Sequence, residues 1–85
     1  MEIFYTSKAA KQLENLPRQI QKRKRIAEKM RFYAKQENPL KFAKRLTDYR
    51  EGGFRFRIGE YRLIFDVIKN KIYILKIDKR DKIYD

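Results

Sequence analysis

Four arginines have the type and spacing to do chemistry in this 85-residue chain: Arg55, Arg57, Arg62 and Arg80. The first three lie in FRFRIGEYRLIFD, Phe54–Asp66, which reads as two alternating strands joined by Gly59-Glu60. A two-residue loop with glycine first suits a type II′ hairpin turn. That turn places Arg57 across from Arg62, with Arg55 one dyad further out on the same face. Like charges directly opposite one another destabilise a sheet, so the placement points to a surface that receives a polyanion. Guanidinium suits phosphate because its planar fork donates two parallel hydrogen bonds. Lys79, Lys82 and Tyr84 accompany Arg80 in the terminal KRDKIYD. A tyrosine among such cations offers a stacking platform for a base, or a phenol that transfers a proton where its pKa is lowered. The plainer reading is a set of solvated strand residues, with Arg62 and Arg80 paired to Asp78 and Asp66. Those two carboxylates fit buttressing of arginines better than two-carboxylate acid–base work.

Composition narrows the chemistry. Twenty-three Lys and Arg against eleven Asp and Glu give a net charge of +12 and a pI near 10.1. Such an excess attracts nucleic acid, an anionic membrane or an acidic protein. The chain has no histidine and no cysteine. Zinc sites, imidazole catalysis and thiolate chemistry are therefore excluded, and no metal or cofactor is expected. Any catalysis falls to Arg, Lys, Tyr or carboxylates. No apolar run approaches the roughly 20 residues of a spanning helix, and MEIFYTSKAAK lacks the apolar stretch of a signal peptide. The expected setting is cytoplasmic, which the absence of cysteine also fits.

The elements that must position the arginines follow from pattern. Residues 1–85 make one domain, since the length leaves no room for a second core. Glu2–Thr6 reads as a first strand. Thr6 or Ser7 can cap a helix from about Lys8 to Asn15, and Pro17 suits the first turn of a second helix reaching about Gln36. In that helix Ile20, Ala27, Met30 and Ala34 form an apolar stripe, widened by Ile26 and Tyr33. Arg23 falls inside the apolar arc and needs a partner, while Phe32 falls near the polar side. Asn38-Pro39 ends the helix. Pro39–Tyr49 predicts a helical turn around Phe42–Leu46 and then a connector, and Arg50-Glu51-Gly52-Gly53 a turn into the hairpin. A three-residue loop, Lys69-Asn70-Lys71, aligns Val67 with Tyr73, Phe65 with Leu75 and Leu63 with Ile77. It also puts Arg62, Asp66, Lys76 and Asp78 on the face of Arg55 and Arg57, opposite a core face of Phe54, Phe56, Ile58, Tyr61, Leu63 and Phe65. A two-residue loop would swap the faces of the last strand. The predicted fold is α+β, in the order β-α-α-β-β-β. A small antiparallel sheet, ending in a three-strand meander, has a helical hairpin packed on one face.

Two further surfaces are candidates for binding. Lys22, Arg23, Lys24 and Arg25 are basic but scatter around a helix. They read as a solvated helix face or as a salt-dependent attraction to RNA phosphates. Ile64, Ile68, Ile72 and Ile74 fall on the charged face in the three-residue register. Uncovered, they would form an apolar interaction patch; the chain's tail or first strand could equally cover them.

The ordered series FRFRIGEYRLIFDV, then IDKRDKIY about ten residues on, resembles toxins of the RelE/ParE superfamily from type II toxin–antitoxin systems. The resemblance spans essentially the whole chain. In its RelE branch it implies ribosome-dependent cleavage of A-site mRNA by attack of a ribose 2′-OH on the adjacent phosphate, which halts translation. It assigns Arg55, Arg57, Arg62, Arg80 and Tyr84 to catalysis. Arg62 takes the phosphate-binding position, Arg80 the position of a general acid or transition-state clamp, and Tyr84 lies near the base or the 2′-OH. RNA binding falls to Lys22, Arg23, Lys24, Arg25, Lys79 and Lys82. Where relatives often carry lysines, this chain has Arg55 and Arg57, suited to stabilising charge rather than accepting a proton. The ParE branch implies instead a DNA gyrase inhibitor that cleaves nothing, and a non-toxic nucleic-acid-binding module is a third reading. The implied partners are the ribosome with its mRNA and a cognate antitoxin that folds over a monomeric toxin. Candidate antitoxin contacts are Ile64, Ile68, Ile72, Ile74 and Phe32.

Overall fold

A computed structural model describes residues 1–16, 20–47 and 52–79, with residues 20–22 described for their backbone alone. The elements are β1 (Glu2–Tyr5), α1 (Ser7–Glu14), α2 (Ile20–Lys35), a 3₁₀ turn (Pro39–Phe42), β2 (Lys44–Arg45), β3 (Phe54–Ile58), β4 (Tyr61–Ile68) and β5 (Lys71–Lys79). They form an α+β fold with a five-stranded sheet in the order β1-β5-β4-β3-β2. The last three strands make the expected meander. The first strand, whose partner the sequence leaves open, runs parallel to β5 and makes the sheet mixed. β2 is a two-residue edge strand paired to β3, where a helical turn was expected over Phe42–Leu46. The helical turn lies earlier, at Pro39–Phe42, where the Asn38 side chain accepts the Leu40 N–H at 3.2 Å and proline occupies the first turn. Asp48–Glu51, including the first half of the expected turn into the hairpin, lies outside the described residues.

The β3–β4 hairpin follows its sequence pattern. Gly59 has φ of 59°, and no positive φ is found at Glu60, as a type II′ turn requires. Phe54 pairs with Phe65, Phe56 with Leu63 and Arg57 with Arg62.

The β4–β5 hairpin departs from the expected register over half its length. Its loop is two residues, Lys69-Asn70, with φ of 49° and 64°, the backbone of a type I′ turn. Val67 therefore pairs with Ile72 and Phe65 with Ile74. A bulge then inserts Leu75, and the ladder resumes with Ile64 opposite Lys76 and Leu63 opposite Ile77. The extra residue shifts the phase of β5 by one. Ile72 and Ile74 thus face the helices near the turn, while Lys76 and Asp78 still share the face of Arg62.

The core fills the space between the sheet and the helices. Ala9, Ile26, Met30 and Tyr33 meet Phe56, Ile58, Tyr61, Leu63, Phe65, Ile72, Ile74 and Ile77. Tyr33, Phe56 and Phe65 stack in sequence, with centroids 4.3 and 4.4 Å apart. The buried stripe of α2 is centred on Ile26, Met30 and Tyr33, with Ala27 and Ala34 at its margin. Thr6 caps α1 by accepting the Ala9 N–H at 3.2 Å. Arg23 finds its partners at the other end, where its guanidinium donates to the carbonyls of Glu14 and Leu16. A cation there also suits the negative end of the helix dipole. Gln12 fixes α1 to the sheet, its side-chain oxygen accepting the Ile77 N–H at 2.7 Å beyond the end of β1.

Candidate nucleic-acid interface

Alternation along β3 sends Phe54, Phe56 and Ile58 toward the helices and Arg55 and Arg57 the other way. Pairing across strands then builds two rows on the face opposite the helices. One runs Lys44–Arg55–Ile64–Lys76, and the other Arg57–Arg62–Asp78. The rows lie two residues apart along the strands, roughly 7 Å. The cross-strand placement of Arg57 and Arg62 thus stands, with Arg55 on the same face. Their exposures differ: Arg57 is exposed, whereas Arg55 and Arg62 are 6% and 7% exposed.

The two aspartates of this face have distinct tasks. Asp78 accepts an ion pair from Lys76 at 3.1 Å, beside Arg62 in the ladder. An oxygen of Asp66 accepts the Gly53 N–H at 2.7 Å, which holds the entry to β3 over the sheet. Gly52, with φ of 156°, lies so close that an added Cβ would stand 2.7 Å from Ile64 Cγ2 and 3.2 Å from Leu75 Cδ1. A small apolar cluster therefore sits beneath this loop, beside the arginines.

Lys41, Phe42 and Lys44 also belong to this site, although sequence reasoning did not assign them to it. With Ala43, Arg55 and Arg57 they line a groove of about 260 Å³ at the β2 edge. The signal for it was an edge strand of two residues, too short for a period-2 pattern to register.

Other assigned residues divide. Arg80, Lys82 and Tyr84 lie outside the described residues, as does the side chain of Lys22. Lys79 is exposed at the end of β5. Arg23 is committed to the carbonyls of Glu14 and Leu16. Exposed Lys24 lies 4.0 Å from Glu28 one turn on. Arg25 packs beside the Gly59 turn and lines a 230 Å³ pocket with Ile58, Glu60 and Tyr61.

The four-isoleucine patch requires correction. Ile72 and Ile74 are fully buried in the core because the two-residue loop turns them toward the helices. Ile64 is on the arginine face but fully buried, next to Gly52 and Leu75. Ile68 is 54% exposed. Its apolar neighbours on that end are Phe4 and Tyr73, ring-stacked at 5.5 Å, with Lys71 Nζ over the Phe4 ring. Phe32 is 46% exposed, next to the rings of Tyr33 and Phe42.

Burial pushes the phenols of Tyr5 and Tyr33 up from their ordinary value, with the charge of Arg31 opposing the rise at Tyr5. Both are thus poor proton acceptors near neutrality. Among the described residues no cluster of three or more His, Cys, Asp or Glu could hold a metal ion. No helix among them is long and apolar enough to cross a membrane.

Comparison with known proteins shows what the chain is similar to. Residues 3–84 match the family model described as the ParE toxin of the type II toxin–antitoxin system, parDE. Among solved structures, the chain is similar to one from the toxin–antitoxin complex RelBE2 of Mycobacterium tuberculosis. The two are 27% identical with a TM-score of 0.69, over 93% of this chain and 90% of the other. No curated protein matches.

Proposed function

The chain belongs to the ParE toxin family of type II toxin–antitoxin systems, and from that premise we propose that it is a ribosome-dependent mRNA endoribonuclease. The observation that carries the reading is the pair of basic rows on one face of the sheet, with Arg57 directly opposite Arg62. A sheet that only had to fold would gain by separating those charges. In the proposed reaction the ribose 2′-OH attacks the adjacent phosphorus and the P–O5′ bond breaks. Arg55, Arg57 and Arg62 stabilise the charge that grows on the phosphoryl oxygens, while the ribosome holds the strand in line. Arg80 and Tyr84 act at the leaving oxygen and the 2′-OH. A cognate antitoxin silences the toxin by covering exposed Ile68 or Phe32 and neutralising the arginines, a reading supported by the toxin–antitoxin complex among its structural neighbours.

The test is mRNA cleavage on programmed ribosomes, beside ribosome-free and Arg80→Ala controls. Cleavage that needs ribosomes and disappears in the variant supports the proposal. A folded protein that cleaves nothing refutes it. The second reading, inhibition of DNA gyrase without cleavage, is what the ParE branch implies, and the family model carries the ParE name. It predicts loss of supercoiling activity in a purified gyrase assay and no effect on translation.

A further inference from the structure

We infer that Phe42 is a base-stacking platform beside the basic rows, so that the groove at the β2 edge holds a nucleotide of single-stranded RNA. This rests on the ribonucleic-acid reading of the arginine face and adds a positioning residue to it. Phe42 is 47% exposed, as is its ring neighbour Phe32 at 46%, although both belong to an aromatic run that reaches the core. Its centroid lies 5.5 Å from Tyr33 and 5.8 Å from Phe32, and Tyr33 in turn stacks on buried Phe56. The backbone beneath it is held as well. Asn38 caps the 3₁₀ turn, Pro39 is buried, and Ala43 donates its N–H to the Leu40 carbonyl at 3.1 Å. The residue is thus held from behind by Tyr33 and the capped turn while remaining exposed on the solvent side.

What it borders identifies the occupant. Among the described residues, the groove lining contains four cations, Lys41, Lys44, Arg55 and Arg57, and no carboxylate. A fixed aromatic next to a run of cations is the arrangement that binds single-stranded nucleic acid, the ring stacking a base and the cations tracking phosphates. An apolar protein segment would use the ring but not the cations. A purely anionic one would use the cations but not the ring. A nucleotide uses both, and the phosphate next to the stacked base lies toward Arg57, where the proposed cleavage chemistry sits.

The experiment uses a short 2′-O-methyl oligoribonucleotide carrying 2-aminopurine, which cannot be cleaved and whose fluorescence falls when the base stacks. Wild-type protein is expected to bind and quench it. Phe42→Leu should weaken binding on the order of tenfold and abolish the quench, with the salt dependence unchanged. Phe42→Trp should restore both. Lys44→Ala should instead lower the salt slope by about one and keep the quench. Phe42→Leu that binds and quenches like wild type overturns the platform. So does Phe42→Leu that loosens the antitoxin complex while leaving RNA binding untouched, because the groove is then a protein-docking surface. Ribosomal cleavage measured in parallel separates the two proposals. Quenching that depends on Phe42 in a protein without cleavage supports the platform and removes the nuclease. Cleavage by a protein whose quench ignores Phe42 does the reverse.

Discussion

The two faces of the sheet are made by the same strands and obey opposite rules. On the helix side Phe56, Leu63, Phe65, Ile72, Ile74 and Ile77 are buried against α1 and α2. On the other side, the alternate positions of those strands carry Arg55, Arg57, Arg62 and Lys76 in cross-strand rows. The first arrangement stabilises through apolar area removed from water. The second sets like charges, Arg57 and Arg62, opposite one another in the ladder, a placement unfavourable in itself. Alternation with a period of two lets one hairpin do both, and burial on one face offsets the repulsion on the other. Substitution should therefore separate the two faces by sign as well as by size.

The largest effect is expected from a pair of neighbours. Phe56→Ala removes a fully buried ring from the Tyr33–Phe56–Phe65 stack and should cost about 3–5 kcal/mol in denaturant unfolding. For a domain of this size that threatens the fold itself. One residue on, Arg57→Glu converts a repelling cross-strand pair into an attracting one. It should raise stability by about 0.2–1 kcal/mol while lowering ribosomal cleavage about 10²–10³-fold. A variant that is more stable and inactive would establish that the face is kept for function. Loss of stability in Arg57→Glu would break the comparison, because the arginines would then be structural.

A smaller effect sharpens it. The arginine face is not bare, since Ile64 and Leu75 meet Gly52 there and Asp66 holds Gly53. Gly52→Ala would force a Cβ to 2.7 Å from Ile64 at a φ that side chains rarely adopt. A loss of about 1–3 kcal/mol is expected from overpacking, read as a lower unfolding midpoint. If the midpoint does not move, the loop does not pack on the sheet as described, and this face has no core of its own.

How far the sequence carries depends on where the information is local. The Gly59-Glu60 turn and the alternation around it are written in adjacent residues, so Arg57 opposite Arg62 could be read directly. The cap at Thr6 and the need of Arg23 for a partner were equally local. The pairing of β1 with β5 is not, because a four-residue strand has no signature for its neighbour. Nor is β2, whose two residues are defined only by pairing with β3. That is why Lys44 and Phe42 went unassigned to the site. The isoleucines failed for a third reason. A bulge leaves no mark in the alternation, so a register right at Leu63–Ile77 was carried one residue too far toward the turn.

That turn offers the smallest and most specific test. Lys69 and Asn70 both adopt left-handed backbone, with φ of 49° and 64°, a conformation costing an ordinary L-residue roughly 1–2 kcal/mol. Asparagine tolerates it and lysine has no means to. The pair Asn-Gly is what a type I′ turn prefers, so the double change Lys69→Asn, Asn70→Gly should stabilise the protein by about 1 kcal/mol. The gain requires the two-residue loop, because a three-residue loop would not hold both positions in that region. It thus reports on register: with the short loop fixed, Ile72 and Ile74 belong to the core face and only the Leu75 bulge returns Lys76 to the arginines. A stabilised variant with unchanged cleavage would place the turn with the helix face and leave the arginine face independent of it. A destabilised one would mean the longer loop is populated, and the isoleucines would return to the charged side.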